Sequence, residues 1–316
     1  MAELNEKPFV IAVVGPTASG KTGLGIRLAK LFDGEIVSVD SMQIYRGMDI
    51  ATAKPDMDEM QGVPHHMIGV IDPSESFNVA EYVKMATDCI GDILNRGKLP
   101  IMVGGTGLYV DSVLDGIDYG EFDIDEARRD ELEKIFKNDG GEILLKELEK
   151  YDQKLAKSLH ANDSARIIRG ILVYESTGIT LTEHKRRSRE NGSPYNYCII
   201  GLGCENRQFL YDKINKRVDI MLEKGLLNET RAFYGMDLSR TSKAAIGYKE
   251  LYPYISGEKS LDECIDKLKQ ETRRYAKRQL TWFRRNGKIN WINIDNTTSF
   301  DEVVQIASAI IKRYGV

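Results

Sequence analysis

The stretch Phe9-Val10-Ile11-Ala12-Val13-Val14-Gly15-Pro16-Thr17-Ala18-Ser19-Gly20-Lys21-Thr22 decides the fold. It opens on a continuous apolar run rich in β-branched side chains, the pattern of a strand buried on both faces. From Gly15 to Thr22 it fits G-x-x-x-x-G-K-[ST] at every fixed position. Leu24, Leu28 and Leu31 then recur at helical spacing, which predicts a helix from about Lys21 to Leu31. Strand, glycine-rich turn and helix together make the context a phosphate-binding loop requires. The glycines let backbone amides wrap a polyphosphate, and the helix N-terminus adds the positive end of its dipole. Lys21 supplies a point charge for the terminal phosphates, and the Thr22 hydroxyl can ligate Mg²⁺. The loop indicates a diphosphate or triphosphate without saying which molecule carries it.

Working outward, Glu35 to Asp40 reads as a second strand ending in a carboxylate. At the C-terminal end of a parallel strand beside the loop, Asp40 stands where ligands bind in such sheets. Metal ligand, general base and helix cap all remain open for it. Val79, Val83, Ala86, Ile90 and Leu94 mark an amphipathic helix, and Leu99 to Val103 a third strand running into Gly104-Gly105-Thr106-Gly107. From about Tyr119 the texture becomes charged and helical, with Asp125 to Glu175 lacking a strand signal, and Lys185 to Pro194 reads as a polar connector. Strand character returns at Tyr197–Leu202. Helical patterns follow at about Arg207 to Lys224 and Leu261 to Arg285, then a short strand at Ile289–Ile294 and a last helix at Phe300–Arg313. The expected architecture is α/β: a phosphate-loop core with a mainly parallel sheet flanked by helices, interrupted by a helical insertion. Residues 1–118 and 196–316 would form the core, and residues 119–195 the insertion.

Composition narrows the class. The chain has 316 residues, 42% of them hydrophobic and 29% charged, which excludes wholesale disorder. The apolar run Phe9–Val14 is far too short to cross a bilayer. The polar stretch Met1–Pro8 lacks a signal-peptide apolar region, so a cytoplasmic protein without membrane contact is expected. Cys89, Cys198, Cys204 and Cys264 form no CxxC pair and read as reduced, buried thiols. His65-His66 point to different faces if extended, which suits structural roles better than metal ligation.

Beyond the phosphate loop, the segments Ser38-Val39-Asp40-Ser41-Met42-Gln43-Ile44-Tyr45, Met48-Asp49-Ile50-Ala51-Thr52-Ala53-Lys54-Pro55 and Val63-Pro64-His65-His66 form a narrower pattern. They are followed by Gly104-Gly105-Thr106-Gly107-Leu108-Tyr109, Ala244-Ala245-Ile246-Gly247-Tyr248-Lys249 and Arg278-Gln279-Leu280-Thr281-Trp282-Phe283. Together they resemble the bacterial tRNA dimethylallyltransferases (tRNA isopentenyltransferases) over nearly the whole chain. Ala51 is a mild departure, standing where that family often has Gly.

The resemblance implies transfer of a dimethylallyl group from dimethylallyl diphosphate to the exocyclic amine of the adenine just 3′ of the anticodon. The acceptors would be tRNAs reading codons that begin with U. It implies that Gly15, Pro16, Thr17, Ala18, Ser19, Gly20, Lys21 and Thr22 hold the diphosphate, with Mg²⁺ at Thr22. Lys21 and Arg217 would stabilise the departing diphosphate, and Asp40 would take the proton from the amine. Thr106 would contact the target base, extruded from the anticodon loop at a cost of about a few kcal/mol. It further implies tRNA contacts from Asp40, Ser41, Met42, Gln43, Thr106 and Arg128. The same holds for Ala165, Arg166, Ile167, Ile168 and Arg169 in the insertion, and for Gly247, Lys249 and Arg278. A monomer is expected.

A net charge of −4 does not announce an RNA binder, but the charge is segregated. Between Lys267 and Lys288 lie nine basic residues against one acid, Glu271, with Tyr275, Trp282 and Phe283 interleaved. That pattern suits a nucleic-acid backbone groove with stacking positions, or a solvated basic helix whose aromatics (Tyr275 and Phe283) face the core. Lys185 to Arg189 forms a second basic cluster. Arg166 and Arg169 lie three apart, on one helix face.

Three other readings compete. A small-molecule kinase explains the start of the chain but not the Gly-Gly-Thr-Gly segment, the insertion or the basic helix. A prenyltransferase acting on free AMP or ADP would not need the insertion. A non-catalytic RNA-binding regulator would have no use for Lys21, Thr22, Asp40 and Thr106 together.

Overall fold

The computed structural model describes residues 7–117, 119, 125–190, 192–295 and 299–316. The chain divides into two compact units, one of residues 1–114 with 194–316 and the other of residues 115–193.

In the first unit, β1 (Phe9–Val14), α1 (Lys21–Leu31), β2 (Gly34–Val39), the short α2 (Met57–Met60) and β3 (His65–His66) come first. They are followed by α3 (Val79–Asn95), β4 (Leu99–Gly104) and α4 (Gly107–Leu114). The second unit holds α5 (Glu126–Asp139), α6 (Gly141–Glu149), α7 (Gln153–Ser158), α8 (Ser164–Thr177) and α9 (Leu181–Arg187). The chain then returns to the first unit with β5 (Asn196–Gly203), α10 (Arg207–Glu223), α11 (Leu226–Phe233), α12 (Tyr248–Ile255), α13 (Leu261–Phe283), β6 (Ile289–Asn293) and α14 (Phe300–Lys312).

The sheet runs β3-β2-β4-β1-β5-β6 with every pairing parallel. β1 has neighbours from both sides of the insertion, β4 and β5. Its continuous apolar run is explained by burial on both faces. Val10, Ala12 and Val14 pack with Tyr82, Ile90 and Tyr109 from α3 and α4. Ile11 and Val13 point the other way, into Leu24 and Leu28 of α1, Ile214 of α10 and Ala307 of α14. Register brings three strand ends level, because Gly104 pairs with both Val14 and Val39. Whatever follows these strands therefore emerges at one edge of the sheet.

The insertion has a core of its own, with Leu132, Leu144, Leu148, Ile167, Ile171 and Leu172 among its buried side chains. The stretch from Lys185, expected as a connector, begins as the end of α9. Thr180 caps that helix, its side chain accepting from the Glu183 amide, and Glu183 pairs with Arg186 and Arg187. The histidine pair forms an edge strand: His66 Nε2 bonds Glu35 Oε2 at 2.6 Å and His65 Nδ1 bonds the Val63 carbonyl at 2.8 Å. Among the described residues no helix is long and apolar enough to cross a membrane.

Candidate active site

Three segments meet at the level strand ends: the phosphate loop after β1, Asp40 after β2 and the Gly105–Thr106 turn after β4. Parallel strands direct their C-terminal ends, and the loops that leave them, to one side, where ligands of such sheets bind.

The loop is held by contacts within the first unit. Lys21 Nζ donates to the Pro16 carbonyl at 2.7 Å. The Thr17 amide donates to Gln279 Oε1 at 2.8 Å, so this amide faces α13. The Ser19 hydroxyl is buried with no hydrogen-bond partner among the described residues, and so is the Arg217 Nε. Lys21 and Arg217 interact electrostatically with Asp40 and with each other. Loss of water lowers the Lys21 pKa most, Arg217 lowers it further and Asp40 opposes them, leaving it at about 7. Burial lowers that of Arg217 as well, again opposed by Asp40. Asp40 acts on both basic side chains and Glu59 on Arg217 as well, yet the pKa values of both stay lowered, so a bound anion would favour their charged forms.

Asp40 Oδ1 accepts from the Met42 amide at 2.9 Å and the Gln43 amide at 3.4 Å, closing a turn; residues 41–44 form no helix, so Asp40 is not a helix cap. Those bonds engage one oxygen and leave the other for chemistry. Thr106 Oγ1 accepts from the Ser41 amide at 3.1 Å, tying the turn after β4 to the loop after β2. A cavity of about 190 Å³ opens here, and Asp40, Ser41, Met42, Gly247, Lys249 and Arg278 all line it. Apolar Met221, Leu226, Ile246 and Leu268 complete much of its wall. The structure thus gathers sequence-predicted residues from four distant segments.

Not every expected contact stands open. Gln43 is engaged inside the protein: its Oε1 accepts from Ser38 Oγ at 2.9 Å, and its Nε2 donates to the Thr52 and Ala53 carbonyls at 3.2 Å each. In the insertion, Ile167 and Ile168 are 0% and 4% exposed, so their side chains pack the helical core and cannot themselves meet a tRNA. Ala165 and Arg166 are exposed and Arg169 half-buried, with Arg166 paired to Asp163 at 3.1 Å. Arg128 is bound to Glu131 at 2.8 Å and Glu175 at 2.9 Å.

The aromatics of α13 also differ from a row of open stacking positions. Phe283 is in the core. Trp282 donates from Nε1 to Asp111 Oδ2 at 2.8 Å and lies so close to Gly107 that a Cβ there would meet its ring at 2.1 Å. Tyr275, expected in the core, lines the cavity instead. Burial and the nearby Asp40 carboxylate push its phenol above the usual range, opposed by the neighbouring Thr106, Arg278 and Gln279 side chains.

Sequence reasoning missed a strut. Glu229 accepts from the Asp49, Ile50 and Ala51 amides at 3.0, 2.8 and 2.9 Å and from the Tyr248 hydroxyl at 2.7 Å. It fixes the chain that carries Ala51 and Thr52 to the cavity wall. One acid on an amphipathic helix gave no local signal of that role.

The oxygen donors suit a hard cation shared with a phosphate: the orphan Ser19 hydroxyl, the exposed Thr22 at the first turn of α1 and the Asp40 carboxylate. Among the described residues no group of three or more His, Cys, Asp and Glu side chains could hold a metal alone. Such a set fits Mg²⁺, which keeps several waters and leans on ligand phosphates.

The chain is similar to known proteins over nearly its whole length. Residues 43–286 match the IPP transferase family and residues 8–74 the isopentenyl transferase family. A tRNA dimethylallyltransferase of Halalkalibacterium halodurans is 47% identical over 305 residues, covering 96% of this chain and 97% of that protein. One of Acetivibrio thermocellus is 44% identical over 309 residues, covering 97% and 98%. Among solved structures, the full-length tRNA isopentenylpyrophosphate transferase of Bacillus halodurans aligns with a TM-score of 0.72 at 44% identity, over 97% of this chain and 96% of that one. A eukaryotic dimethylallyltransferase described as acting on tRNA aligns with a TM-score of 0.84 at 29% identity, over 97% of this chain and 79% of that one.

Proposed function

The chain belongs to the IPP transferase family, and on that premise we propose that it transfers a dimethylallyl group from dimethylallyl diphosphate to tRNA. The acceptor is the exocyclic amine of the adenine 3′ of the anticodon, in tRNAs that read codons beginning with U. The observation that carries this reading is the meeting of Lys21, Arg217 and Asp40 beside a cavity with apolar walls.

The chemistry needs a bond from the adenine nitrogen to the allylic carbon as the bond from that carbon to the diphosphate oxygen breaks. Lys21, Arg217 and the loop amides take the negative charge that grows on the leaving diphosphate. Their shortage of counter-charge before binding makes them more responsive to that anion. Asp40 takes the proton from the amine through the oxygen that its turn bonds leave open. Thr106, anchored by the Ser41 amide, holds the base beside Asp40. Mg²⁺ at Thr22, bound together with the diphosphate, would neutralise leaving-group charge. In the insertion, Arg166, Arg169 and Arg128 supply cations to the anticodon stem-loop, and Ile167 and Ile168 shape the helix that presents them. Ser41, Met42, Gly247, Lys249 and Arg278 surround the extruded base and its neighbours.

The test is incubation with labelled dimethylallyl diphosphate and, separately, tRNA, AMP or ADP. Label in tRNA alone supports the reading. Label in free nucleotide favours the small-acceptor prenyltransferase. Phosphoryl transfer from ATP to a small acceptor, with no label moved, favours a kinase.

A further inference from the structure

Gln279 is a large amide on the inner face of α13, 5% exposed, one turn from each of Tyr275 and Phe283. Packing alone would be served by Leu or Met at this position. Its polar ends are both used, and both partners are backbone groups of the site. Oε1 accepts from the Thr17 amide in the phosphate loop at 2.8 Å, and Nε2 donates to the Gly105 carbonyl at 3.1 Å. The approach to Gly105 is so close that a Cβ there would come within 2.0 Å of Nε2. Thr106, the next residue after Gly105, in turn accepts from the Ser41 amide next to Asp40. One amide thus joins the segment that would hold the leaving group to the turn that would hold the acceptor base.

We propose that Gln279 is a positioning residue for the transfer: it clamps the phosphate loop to the Gly105–Thr106 turn and so sets the spacing between the diphosphate and the acceptor amine. The proposal rests on the functional reading above. Two reactants held in register gain rate that neither binding step alone displays, so loss of the clamp slows chemistry in the fully bound complex. The Thr17 amide, turned to Gln279, anchors the loop.

The experiment uses the full-length protein, wild type and variants, with dimethylallyl diphosphate and tRNA both saturating in single-turnover assays. Donor affinity is measured by calorimetry and tRNA affinity by filter retention. Gln279→Ala should lower the bound-state rate by about tenfold or more while tRNA affinity stays within about twofold. Gln279→Glu keeps the acceptor for the Thr17 amide. Ionised, it sets an oxygen against the Gly105 carbonyl; protonated, it donates again. Its rate relative to wild type should therefore rise as pH falls, a profile that a packing defect would not give. Gly105→Ala should slow transfer by displacing Gln279. Because the two changes disturb one contact, Gln279→Ala added to Gly105→Ala should cost less than about twofold further.

A Gln279→Glu rate equal to wild type at every pH overturns the proposal. So does a Gln279→Ala protein altered only in melting temperature, and if that variant does not fold, Gln279→Glu decides. Wild-type protein that labels no tRNA overturns the functional reading itself, whereas wild-type transfer with unaffected variants removes Gln279 alone.

Discussion

The phosphate-loop edge of the sheet and the helical insertion both hold cations, in opposite ways. At the sheet edge, Lys21 and Arg217 are half-buried and both face Asp40, with the Arg217 Nε unpartnered among the described residues. In the insertion, Arg128 has two carboxylates and Arg166 pairs with Asp163 in the open. The first arrangement is under-compensated, so an incoming diphosphate would be expected to act strongly on it. Arg128 and Arg166 are already balanced and screened, so each of these two would exchange a carboxylate for a phosphate with little net gain per contact, whereas burial and the nearby Arg129 lower the pKa of Arg169. Under-compensated charge is concentrated at the strand ends, and largely paired charge is spread over a helical surface.

The largest effect should come from the sheet edge. Asp40→Ala should lower the single-turnover rate by about a hundredfold or more, the range for losing a general base, with tRNA affinity unchanged. Rates within a few-fold of wild type would take Asp40 out of the chemistry and leave it as a residue that closes a turn. Lys21→Ala should weaken dimethylallyl diphosphate binding and slow transfer together, by about tenfold or more in kcat/KM, because in the proposed mechanism the lysine would serve both ground and transition states. A variant that lost ATP affinity alone would break the comparison in favour of a kinase.

The insertion should respond differently. Ile167→Ala should cost about 2–5 kcal/mol of the insertion's stability, as buried isoleucines do, while donor binding measured by calorimetry stays as in wild type. Equal loss of donor binding would mean that the two regions do not act separately. Arg166→Ala with Arg169→Ala should reduce the slope of log tRNA affinity against log salt by about one unit per lost phosphate contact. An unchanged slope would leave these arginines as structural.

The smallest effect is a proton. Lys21 titrates near 7 in the folded protein and at 10.5 as an ordinary lysine. Between those values the unfolded chain holds a proton that the folded chain lacks, so this residue makes folding more favourable as pH rises through that window. A diphosphate beside Lys21 reverses its preference, so donor binding at pH 8 should take up a proton. Calorimetry in buffers of different ionisation enthalpy measures that uptake. No uptake would mean that the diphosphate does not reach Lys21.

The sequence carried the site best where the information is local. Phe9 to Thr22 announces strand, loop and helix through contiguous residues, and Asp40 closes a strand whose apolar pattern is equally plain. Helices α11 and α12 escaped because Gly225, Gly235 and Gly247 break the periodicity into short pieces. In α13 the pattern misled. Tyr275, Gln279 and Phe283 share one stripe, which periodicity assigns to the core. The helix is long enough for that stripe to begin at the cavity and end in the core. Gln279 finds its partners at Thr17 and Gly105, separations that no local pattern encodes. The buried Ile167 and Ile168 were the converse case, side chains whose packing role the family resemblance overrode.

The central position of β1 has a consequence for biosynthesis. Its pairing with β5 joins Phe9 to Asn196, so one edge of the earliest strand stays open until the ribosome has passed the whole insertion. At bacterial-scale elongation of about 5–20 residues per second, that wait lasts roughly 10–40 s. During it, α5 to α9 already hold every residue of their own core. The nascent chain should therefore acquire its helical insertion first and close its sheet last. The exposed apolar strand in the interval is the segment that a ribosome-associated chaperone would need to shield.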